Sequence, residues 1–302
     1  DLQRYHLAGG YTEWRAPDPE YAPISWERPE PFNHVPRHTE STDPIEGRQP
    51  CHLAPAEWRL LAWLEREGYG YDFYAEHQLH DRVLDLDAYK LVISQVHPEY
   101  WSRAIYQRIK AWVHERGGRF MYLGGNGLNC EIEFLDDATM RCKTQLLSKD
   151  GELGMVDPSD PSRYLESRFH RTVECEANLL GVVCTDSGIM TAAPYKALEP
   201  GHWVFEGTGL RSGDLFGLRS LHERIHGGAS GHETDKMSKH SPKGTVLLAK
   251  GTNPDDGGAE MVYYELNGGA VFSVGSITYP SCVLVDAHIS RITKNVIDRF
   301  LA

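Results

Sequence analysis

The chain has 302 residues, which suffices for one large α/β domain or two small ones. Its formal net charge of −12 and the lack of a Lys/Arg run argue against nucleic acid or an anionic membrane surface as the main partner, and no apolar run approaches the length of a membrane span. Six scattered cysteines without a CxxC pair are typical of reduced thiols, so we expect a cytoplasmic protein.

The first 52 residues differ in composition from the rest of the chain. They are rich in Pro, Glu and His and lack a sustained helical or strand period. A structureless stretch of this length is unusual inside a compact domain, so we expect residues 1–52 to form an extended segment that packs on the main domain. Residues 53–302 are expected to form that domain, with an insertion at about 128–243 where the periodicity weakens.

The main domain begins with alternating helix and strand patterns. Residues 55–67 have helical spacing and are followed by Gly68, a typical helix end. Apolar strands at 91–96 and 119–123 flank an amphipathic helix at 102–116. Such alternation is typical of a parallel sheet with right-handed crossovers, so we predict an α/β fold with a mostly parallel sheet flanked by helices.

Further elements are predicted on both sides of the insertion. Residues 69–79 are a strand candidate, and three more strands are predicted at 244–250, 259–266 and 269–275. The last two of these should form a hairpin, because Asn267-Gly268 between them is a strong signal for a two-residue turn. A helix over about 286–301 closes the chain.

The residues after the strand at 91–96 are His97-Pro98-Glu99-Tyr100-Trp101. In open α/β sheets, ligands bind beyond the carboxyl ends of the strands, so these side chains lie where chemistry is expected. An imidazole, a carboxylate and a phenol supply a base, an anionic ligand and an acid within one turn. The alternative is a strand end that is simply capped by polar residues.

The turn YLGGNG at 122–127 also follows a strand. It lacks the full GxGxxG and the GK[ST] of phosphate-binding loops, so it is a weak nucleotide signal. It occupies the place of a nucleophile elbow but carries Asn126, whose amide can donate to an oxyanion and cannot act as a nucleophile. An Asn-Gly turn kept for backbone geometry is the alternative, and Cys130 is a rival nucleophile four residues on.

Two later segments add candidate residues. GASGHETDK at 228–236 places Glu233 and Asp235 beside His232, so that a loop carboxylate could serve as general base or metal ligand. A solvated polar turn is the alternative. GGAVFSVGS at 268–276 contains Phe272, which could line a pocket or pack in the core.

These segments together resemble one family. The series HPEYWS, GGRFMYLGGNG, GTGL, GASGHETDK and GGAVFSVGSITY occurs in the order seen in the C-terminal domain of the large (beta) subunit of N,N-dimethylformamidase. The resemblance implies a class I glutamine amidotransferase-like (flavodoxin-like) fold without the usual cysteine. It also implies that the chain is part of a larger subunit, that the large subunit forms homo-oligomers, and that a separate small subunit binds it.

The resemblance further implies a cofactor, a mononuclear iron held by two tyrosinates and one glutamate, in the trivalent state. The carboxylate ligand corresponds to Glu99 in the HPEYW motif. The tyrosines are expected before the helix at 55–67, so Tyr5 and Tyr21 are the candidates, with Tyr11 as an alternative. Phenolate and carboxylate oxygens suit a hard trivalent ion.

The remaining roles follow from the same resemblance. Glu233 corresponds to a general base, Asn126 to a substrate contact, and His97 either steadies an oxyanion or fixes Glu99. Phe272 corresponds to the pocket wall, and we place Tyr100 in the substrate pocket as well.

The sequence therefore predicts an iron-dependent amidohydrolase. It would convert small linear amides such as N,N-dimethylformamide into a short carboxylic acid such as formate and an amine. Two alternatives stay open: a catalytically silent binding or scaffold subunit with the same fold, and a cysteine-dependent amidohydrolase that uses Cys130.

Overall fold

The computed structural model describes residues 24–25, 54–142, 155–157, 160–165, 169–185 and 187–302. Six α-helices lie in this part of the chain: α1 (Ala54–Glu67), α2 (Glu76–His80), α3 (Arg103–Arg116), α4 (Phe169–Thr172), α5 (Ala177–Leu180) and α6 (Ala287–Leu301). Short 3-10 helices lie at Leu86–Ala88, Trp203–Phe205, Pro254–Asp256 and Tyr279–Ser281. None of the described helices is both long and apolar enough to cross a bilayer.

The strands of the described residues form one large sheet and several small ones. In chain order they are β1 (Ile24–Ser25), β2 (Leu91–Val96), β3 (Tyr100–Ser102), β4 (Arg119–Gly124), β5 (Cys130–Phe134), β6 (Thr139–Cys142), β7 (Met155–Asp157), β8 (Asp160–Leu165), β9 (Val183–Thr185), β10 (Ala192–Ala193), β11 (Tyr195–Ala197), β12 (Leu215–Phe216), β13 (Ser230–Gly231), β14 (Thr234–Lys236), β15 (Val246–Gly251), β16 (Glu260–Leu266) and β17 (Gly269–Ser273). The large sheet has the order β12-β11-β15-β16-β17-β4-β2.

The large sheet is mixed, and the prediction of a mostly parallel, flavodoxin-like, glutamine amidotransferase-like sheet is wrong. Strands β17, β4 and β2 are adjacent and run parallel to one another. All other neighbours are antiparallel: β12 with β11, β11 with β15, β15 with β16, and β16 with β17. The parallel arrangement is therefore confined to one edge of the sheet.

The physical reason lies in the connections. Parallel neighbours need a long crossover, and α3 supplies one between β2 and β4. Strands β16 and β17 are joined by Asn267-Gly268, both with positive φ, and such a two-residue turn permits only antiparallel pairing. The predicted hairpin is thus confirmed, while the extension of the βαβ pattern to the whole sheet was not justified.

Helices cover both faces of the large sheet. Alternate residues of β4 point to opposite faces. Phe120 and Tyr122 belong to a buried cluster that includes the apolar face of α3, whereas Met121 and Leu123 belong to a second cluster that includes α1 and α6. The domain is therefore a three-layer α/β/α arrangement.

Helix α3 has well-defined ends because of its sequence. The Ser102 hydroxyl accepts a hydrogen bond from the Ile105 amide at 3.3 Å and caps the first turn. Gly117 ends the helix in the left-handed region, with φ of 78°. Ser102 is also the last residue of β3. The segment from His97 to Ser102 is therefore fixed by β2 at its start and by β3 and α3 at its end.

Two other predictions meet the structure in the N-terminal third. The strand predicted at 69–79 is wrong, because residues 76–80 form α2 and no strand is assigned between 69 and 75. The extended segment at 1–52 lies outside the described residues apart from Ile24–Ser25, which pair with Met140 and Thr139 of β6.

Candidate active site

Three parallel strands end at the same edge of the large sheet. Val96, the last residue of β2, pairs with Gly124 at the end of β4, and β17 ends beside β4. His97 and Glu99 follow β2, and Asn126 follows β4, so the sheet register brings the two motifs side by side. This parallel trio keeps the expected relation between carboxyl ends and ligand sites even though the rest of the sheet is antiparallel.

The turn after β4 brings Glu233 into the same place. A Cβ atom on Gly125 would lie 2.7 Å from the Glu233 carbonyl oxygen and 2.9 Å from the Ile277 amide nitrogen. The chain segment that carries Glu233 therefore crosses directly over the glycine turn. Asp235 fixes this crossing further, because its amide donates to the Gly275 carbonyl at 2.9 Å.

Gly125→Ala tests this close approach. The two closest contacts of the added methyl group are backbone atoms, which cannot move away as a flexible side chain can. We expect the free energy of unfolding to fall by about 1–3 kcal/mol, measured by denaturant titration. The matched control is Gly70→Ala, where nothing lies within 4 Å of the new Cβ and a change below about 0.5 kcal/mol is expected. Equal effects of the two substitutions would contradict the crossing.

Three polar side chains approach Nε2 of His97. Glu99 Oε2 lies 3.4 Å from this nitrogen, and Glu233 Oε2 lies 3.3 Å from it. Asn126 Nδ2 lies at 3.2 Å, and the Asn129 amide donates to the other oxygen of Glu99 at 3.3 Å. The side chains of His97 and Glu99 are only 13% and 12% exposed, so the cluster is largely shielded from solvent.

The charges of the cluster act on one another. Burial alone would lower the pKa of His97, but the carboxylates of Glu99 and Glu233 outweigh burial and raise it above its ordinary value. Burial likewise opposes ionisation of Glu233, yet contact with His97 outweighs it and lowers the pKa of Glu233. Both shifts favour a protonated imidazole beside an ionised carboxylate, which is a pair suited to moving protons.

The backbone is strained next to three of these residues. Val96, which precedes His97, has a φ of 63°, and His232, which precedes Glu233, has a φ of 70°. Asn126, in the YLGGNG turn, has a φ of 49°. Positive φ is rare for residues other than glycine and is an outlier for a β-branched residue such as Val96. Strain of this kind persists where the surroundings fix it and tends to occur at functional sites.

The buried carboxylate of Asp235 fixes the YLGGNG turn that carries Asn126. Asp235 Oδ1 accepts a hydrogen bond from the Asn126 amide at 2.8 Å, and its Oδ2 accepts one from the Tyr122 hydroxyl at 2.8 Å. The Tyr122 hydroxyl in turn accepts from the Gly127 amide at 2.7 Å. Sequence analysis named Asp235 only as one of two loop carboxylates, without this positioning role, and did not single out Tyr122. The alternation of Glu233 and Asp235 along an extended segment, which puts them on one face, was the available signal.

Asp235→Asn tests the buried carboxyl. Burial raises the pKa of Asp235 from 3.8 to about 7. Between these values the folded state binds more protons than the unfolded chain, so the contribution of Asp235 to stability falls as pH rises from about 4 to about 7. Since Asn does not titrate, the unfolding free energy of the wild type minus that of Asp235→Asn should fall across this window by up to about 4 kcal/mol. Urea titrations at a series of pH values measure it, and a pH-independent difference would contradict the prediction.

A second buried pair lies behind Glu233. The ring atoms His232 Nδ1 and His222 Nε2 are 3.3 Å apart, and His222 Nδ1 accepts from the Ile225 amide at 3.0 Å. Burial lowers the pKa of His232 to about 4 and that of His222 to about 2. Both rings are therefore neutral at pH 7 and support the Glu233 segment without adding charge. Sequence analysis missed His222, which lies outside the motifs.

The other predicted residues have the following positions. Tyr100 begins β3 and is partly buried, whereas Phe272 is fully buried in the core and pairs with Met121 of β4. Their pocket roles stay predictions. Cys130 is completely buried, which does not suit a nucleophile that needs solvent access. The candidate tyrosine ligands lie outside the described residues: Tyr5, Tyr11 and Tyr21.

The donor chemistry of the cluster fits a hard cation. Two carboxylates face one imidazole, so the cluster keeps an excess negative charge even when His97 is protonated. One buried acceptor atom of the cluster, Asn126 Oδ1, receives no hydrogen bond from the described residues. Carboxylate oxygens such as those of Glu99 are the donors that hard ions prefer.

Fold and cluster define a class of protein: a three-layer α/β domain with a mixed sheet and an acid–base cluster at the carboxyl ends of its parallel strands. The chain belongs to the family described as "N,N-dimethylformamidase beta subunit-like, C-terminal", whose sequence model matches residues 3–289. The resemblance predicted from the HPEYW, YLGGNG and GHETD motifs is thereby confirmed.

Two relatives and two solved structures show how far this similarity extends. The chain is 28% identical, over 324 aligned residues, to N,N-dimethylformamidase beta subunits from Alcaligenes sp and Paracoccus aminophilus. Each alignment covers 92% of this chain and 40% of the relative, so the chain spans about 40% of the length of the curated relatives it matches.

Among solved structures, a cytoplasmic protein from Salmonella typhimurium has a TM-score of 0.45 at 12% identity, covering 80% of this chain and 85% of that one. A β-galactosidase from Bacillus circulans sp. alkalophilus has a TM-score of 0.45 at 12% identity, covering 81% of this chain and 26% of that one. At these scores the likeness carries no argument about function.

Proposed function

We propose that this chain forms the catalytic domain of a hydrolase that acts on small linear amides, N,N-dimethylformamide being the reference substrate. The observation that supports it is the meeting of Glu99, Glu233 and Asn126 at Nε2 of His97. Membership of the dimethylformamidase family supports the same reaction class. The products would be a short carboxylic acid such as formate and an amine.

The side chains divide the work of hydrolysis. Glu233 takes a proton from the attacking water as the water oxygen bonds to the amide carbon. The amide group of Asn126 donates a hydrogen bond to the oxyanion that forms at the carbonyl oxygen. His97, which lies 3.3 Å from Glu233 Oε2, delivers a proton to the departing amine nitrogen as the C–N bond breaks.

The proposal includes a mononuclear, trivalent iron. Glu99 would hold it through its carboxylate, with Tyr5 and Tyr21 as the proposed phenolate ligands. When bound, the ion supplies Lewis-acid assistance, which an unactivated amide needs because it is a poor electrophile. Asn129, which donates to Glu99 Oε1 at 3.3 Å, would orient the carboxylate ligand.

We also propose that the chain works within a larger assembly. The relatives are named beta subunits, and the chain spans about 40% of their length. A small partner subunit and self-association of the large subunit are therefore proposed for the complete protein. Size-exclusion chromatography with light scattering of the co-expressed subunits measures both.

The activity is tested with the assembled, iron-loaded protein. The substrates are N,N-dimethylformamide and a size series of formamide, N-methylformamide and N,N-dimethylacetamide. The acid and the amine released from each amide are measured, which are formate and dimethylamine for N,N-dimethylformamide. Turnover of at least one of these, lost when iron is removed by a chelator and restored by iron, is the expected result.

Two results would overturn the proposal. An assembled, iron-replete protein that hydrolyses none of the amides would favour a silent scaffold subunit. Turnover that survives iron removal and is abolished by a thiol reagent would favour a cysteine hydrolase, in spite of the full burial of Cys130.

A further inference from the structure

Outside the candidate active site, a cluster of one thiol and two imidazoles is found among the described residues. Cys175 Sγ and one ring nitrogen each of His170 and His240 all lie within 4.8 Å of one another. Cys175 is fully buried and both histidines are partly buried. The rings of the two histidines have their centroids 5.0 Å apart and are tilted by 50°, so they are not stacked flat against each other.

From this geometry we infer a binding site for a divalent, borderline-soft metal ion, with zinc as the representative, at His170, Cys175 and His240. Thiolate and imidazole are the ligands that such ions prefer, whereas magnesium and calcium prefer oxygen. In tetrahedral zinc sites the ligand atoms lie roughly 3.3–3.8 Å apart, so the three side chains need to close in by only about 1 Å. Binding converts the Cys175 thiol to thiolate and releases its proton to solvent.

The backbone holds each segment of the cluster in place. Phe169 donates its amide to the Asn129 carbonyl at 2.9 Å and fixes the start of α4, which carries His170. The Cys175 carbonyl accepts from the Asn178 amide at 3.0 Å at the start of α5. On the other side, the Ser241 hydroxyl donates to the Gly181 carbonyl at 2.8 Å and fixes the loop of His240. The ligand segments are thus positioned before an ion binds.

The position in the sheet indicates what the ion would do. Strands β9 and β14 form an antiparallel pair in which Lys236, the last residue of β14, lies opposite Val183, the first residue of β9. Cys175 precedes β9 and His240 follows β14, so both lie beyond the same end of this pair. A metal ion there would link the segments that adjoin this end of the strand pair. Since Glu233 and Asp235 lie on the β14 segment, the ion would stabilise the segment that carries the proposed general base, Glu233.

This site is distinct from the proposed iron site. It shares no residue with the cluster at His97, and its soft thiolate differs from the carboxylate of Glu99. Three protein ligands leave a fourth coordination position for water. The inference does not rest on the proposed function and can be tested without an activity assay.

The test uses the purified chain of 302 residues, with zinc and cobalt as probes. We expect one zinc per chain to survive dialysis, and cobalt to give a sulfur-to-metal charge-transfer band. His240→Gln and Cys175→Ser should each weaken zinc binding by at least about 100-fold, and Cys175→Ser should remove the charge-transfer band. Circular dichroism checks the fold of each variant. If Cys175→Ser does not fold, the partly buried His240→Gln decides the test.

Two control variants give the result its specificity. Cys184→Ser changes another buried thiol, in β9, outside the cluster, and should keep both the zinc and the cobalt band. Glu99→Gln should keep the zinc as well. A wild-type chain that retains no zinc, zinc binding that is unchanged in His240→Gln, or a cobalt spectrum without thiolate character would overturn the inference.

Discussion

Glu233→Gln is expected to abolish turnover of small amides while the protein keeps its iron. The substitution preserves the shape of the side chain but removes the basic oxygen that takes a proton from water. Loss of a positioned general base typically lowers the rate by about 10²–10⁴-fold. Glu233 Oε2 lies 3.3 Å from His97 Nε2, so the variant also removes the carboxylate that holds a proton on the imidazole. Rates on N,N-dimethylformamide and iron content by mass spectrometry measure the two effects separately.

A matched control distinguishes this role from a general effect of charge. Glu206→Gln removes an exposed carboxylate outside the cluster and should leave both rate and iron unchanged. If Glu233→Gln loses iron together with activity, Glu233 is a ligand and not a base. If it keeps a near-normal rate, another group takes the proton and the assignment of Glu233 is wrong.

The parallel edge of the sheet could be predicted from the sequence. The strand pattern at 91–96, the helix after it and the strand before YLGGNG define one βαβ unit. The expectation that polar residues after such strands meet then follows from the geometry of parallel strands alone. Because Val96 lies opposite Gly124, His97 and Asn126 became neighbours as that reasoning required.

The antiparallel part of the sheet could not be predicted in the same way. Periodicity identifies a strand but does not state the direction of its neighbour, and the strands β11 and β12 are only a few residues long. The family resemblance reinforced the wrong parallel interpretation. The hairpin at Asn267-Gly268 was the one local signal that contradicted it.

The contacts that support the site could not be predicted from the motifs. Asp235 contacts Asn126 and Tyr122, which are more than a hundred residues earlier in the chain, and only the folded arrangement joins them. His222 and His232 are paired for the same reason. Motifs identify polar residues at strand ends. They do not show which buried residues contact those polar residues and fix their positions.

Strain and support are connected at the elbow. Asn126 holds a φ of 49° while its amide donates to Asp235 and its side chain approaches His97 Nε2 at 3.2 Å. This buried hydrogen bond helps to offset a backbone cost of about 1–3 kcal/mol. The carboxylate therefore acts as a positioning residue, because it fixes the amide that faces the substrate.

Glu99→Gln is expected to lower iron content and turnover together. The carboxylate is the only proposed iron ligand among the described residues, and an amide oxygen is a much weaker partner for a trivalent ion. The fold should persist, because the Gln oxygen can still accept the hydrogen bond that Asn129 donates to Glu99 Oε1 at 3.3 Å. We expect the free energy of unfolding to change by less than about 1 kcal/mol, as checked by denaturant titration.

Comparison with Glu233→Gln distinguishes loss of a metal ligand from loss of a charge next to His97. Both substitutions remove one negative charge next to His97, so a purely electrostatic effect on the imidazole would make the two variants alike. Ligand and base differ instead in iron stoichiometry: Glu99→Gln should lose the ion and Glu233→Gln should keep it. Added iron should partly restore Glu99→Gln, since excess metal compensates a weakened site by mass action, and should not restore Glu233→Gln. Full iron content and a near-normal rate in Glu99→Gln would place the metal somewhere else and would overturn the interpretation of the HPEYW motif.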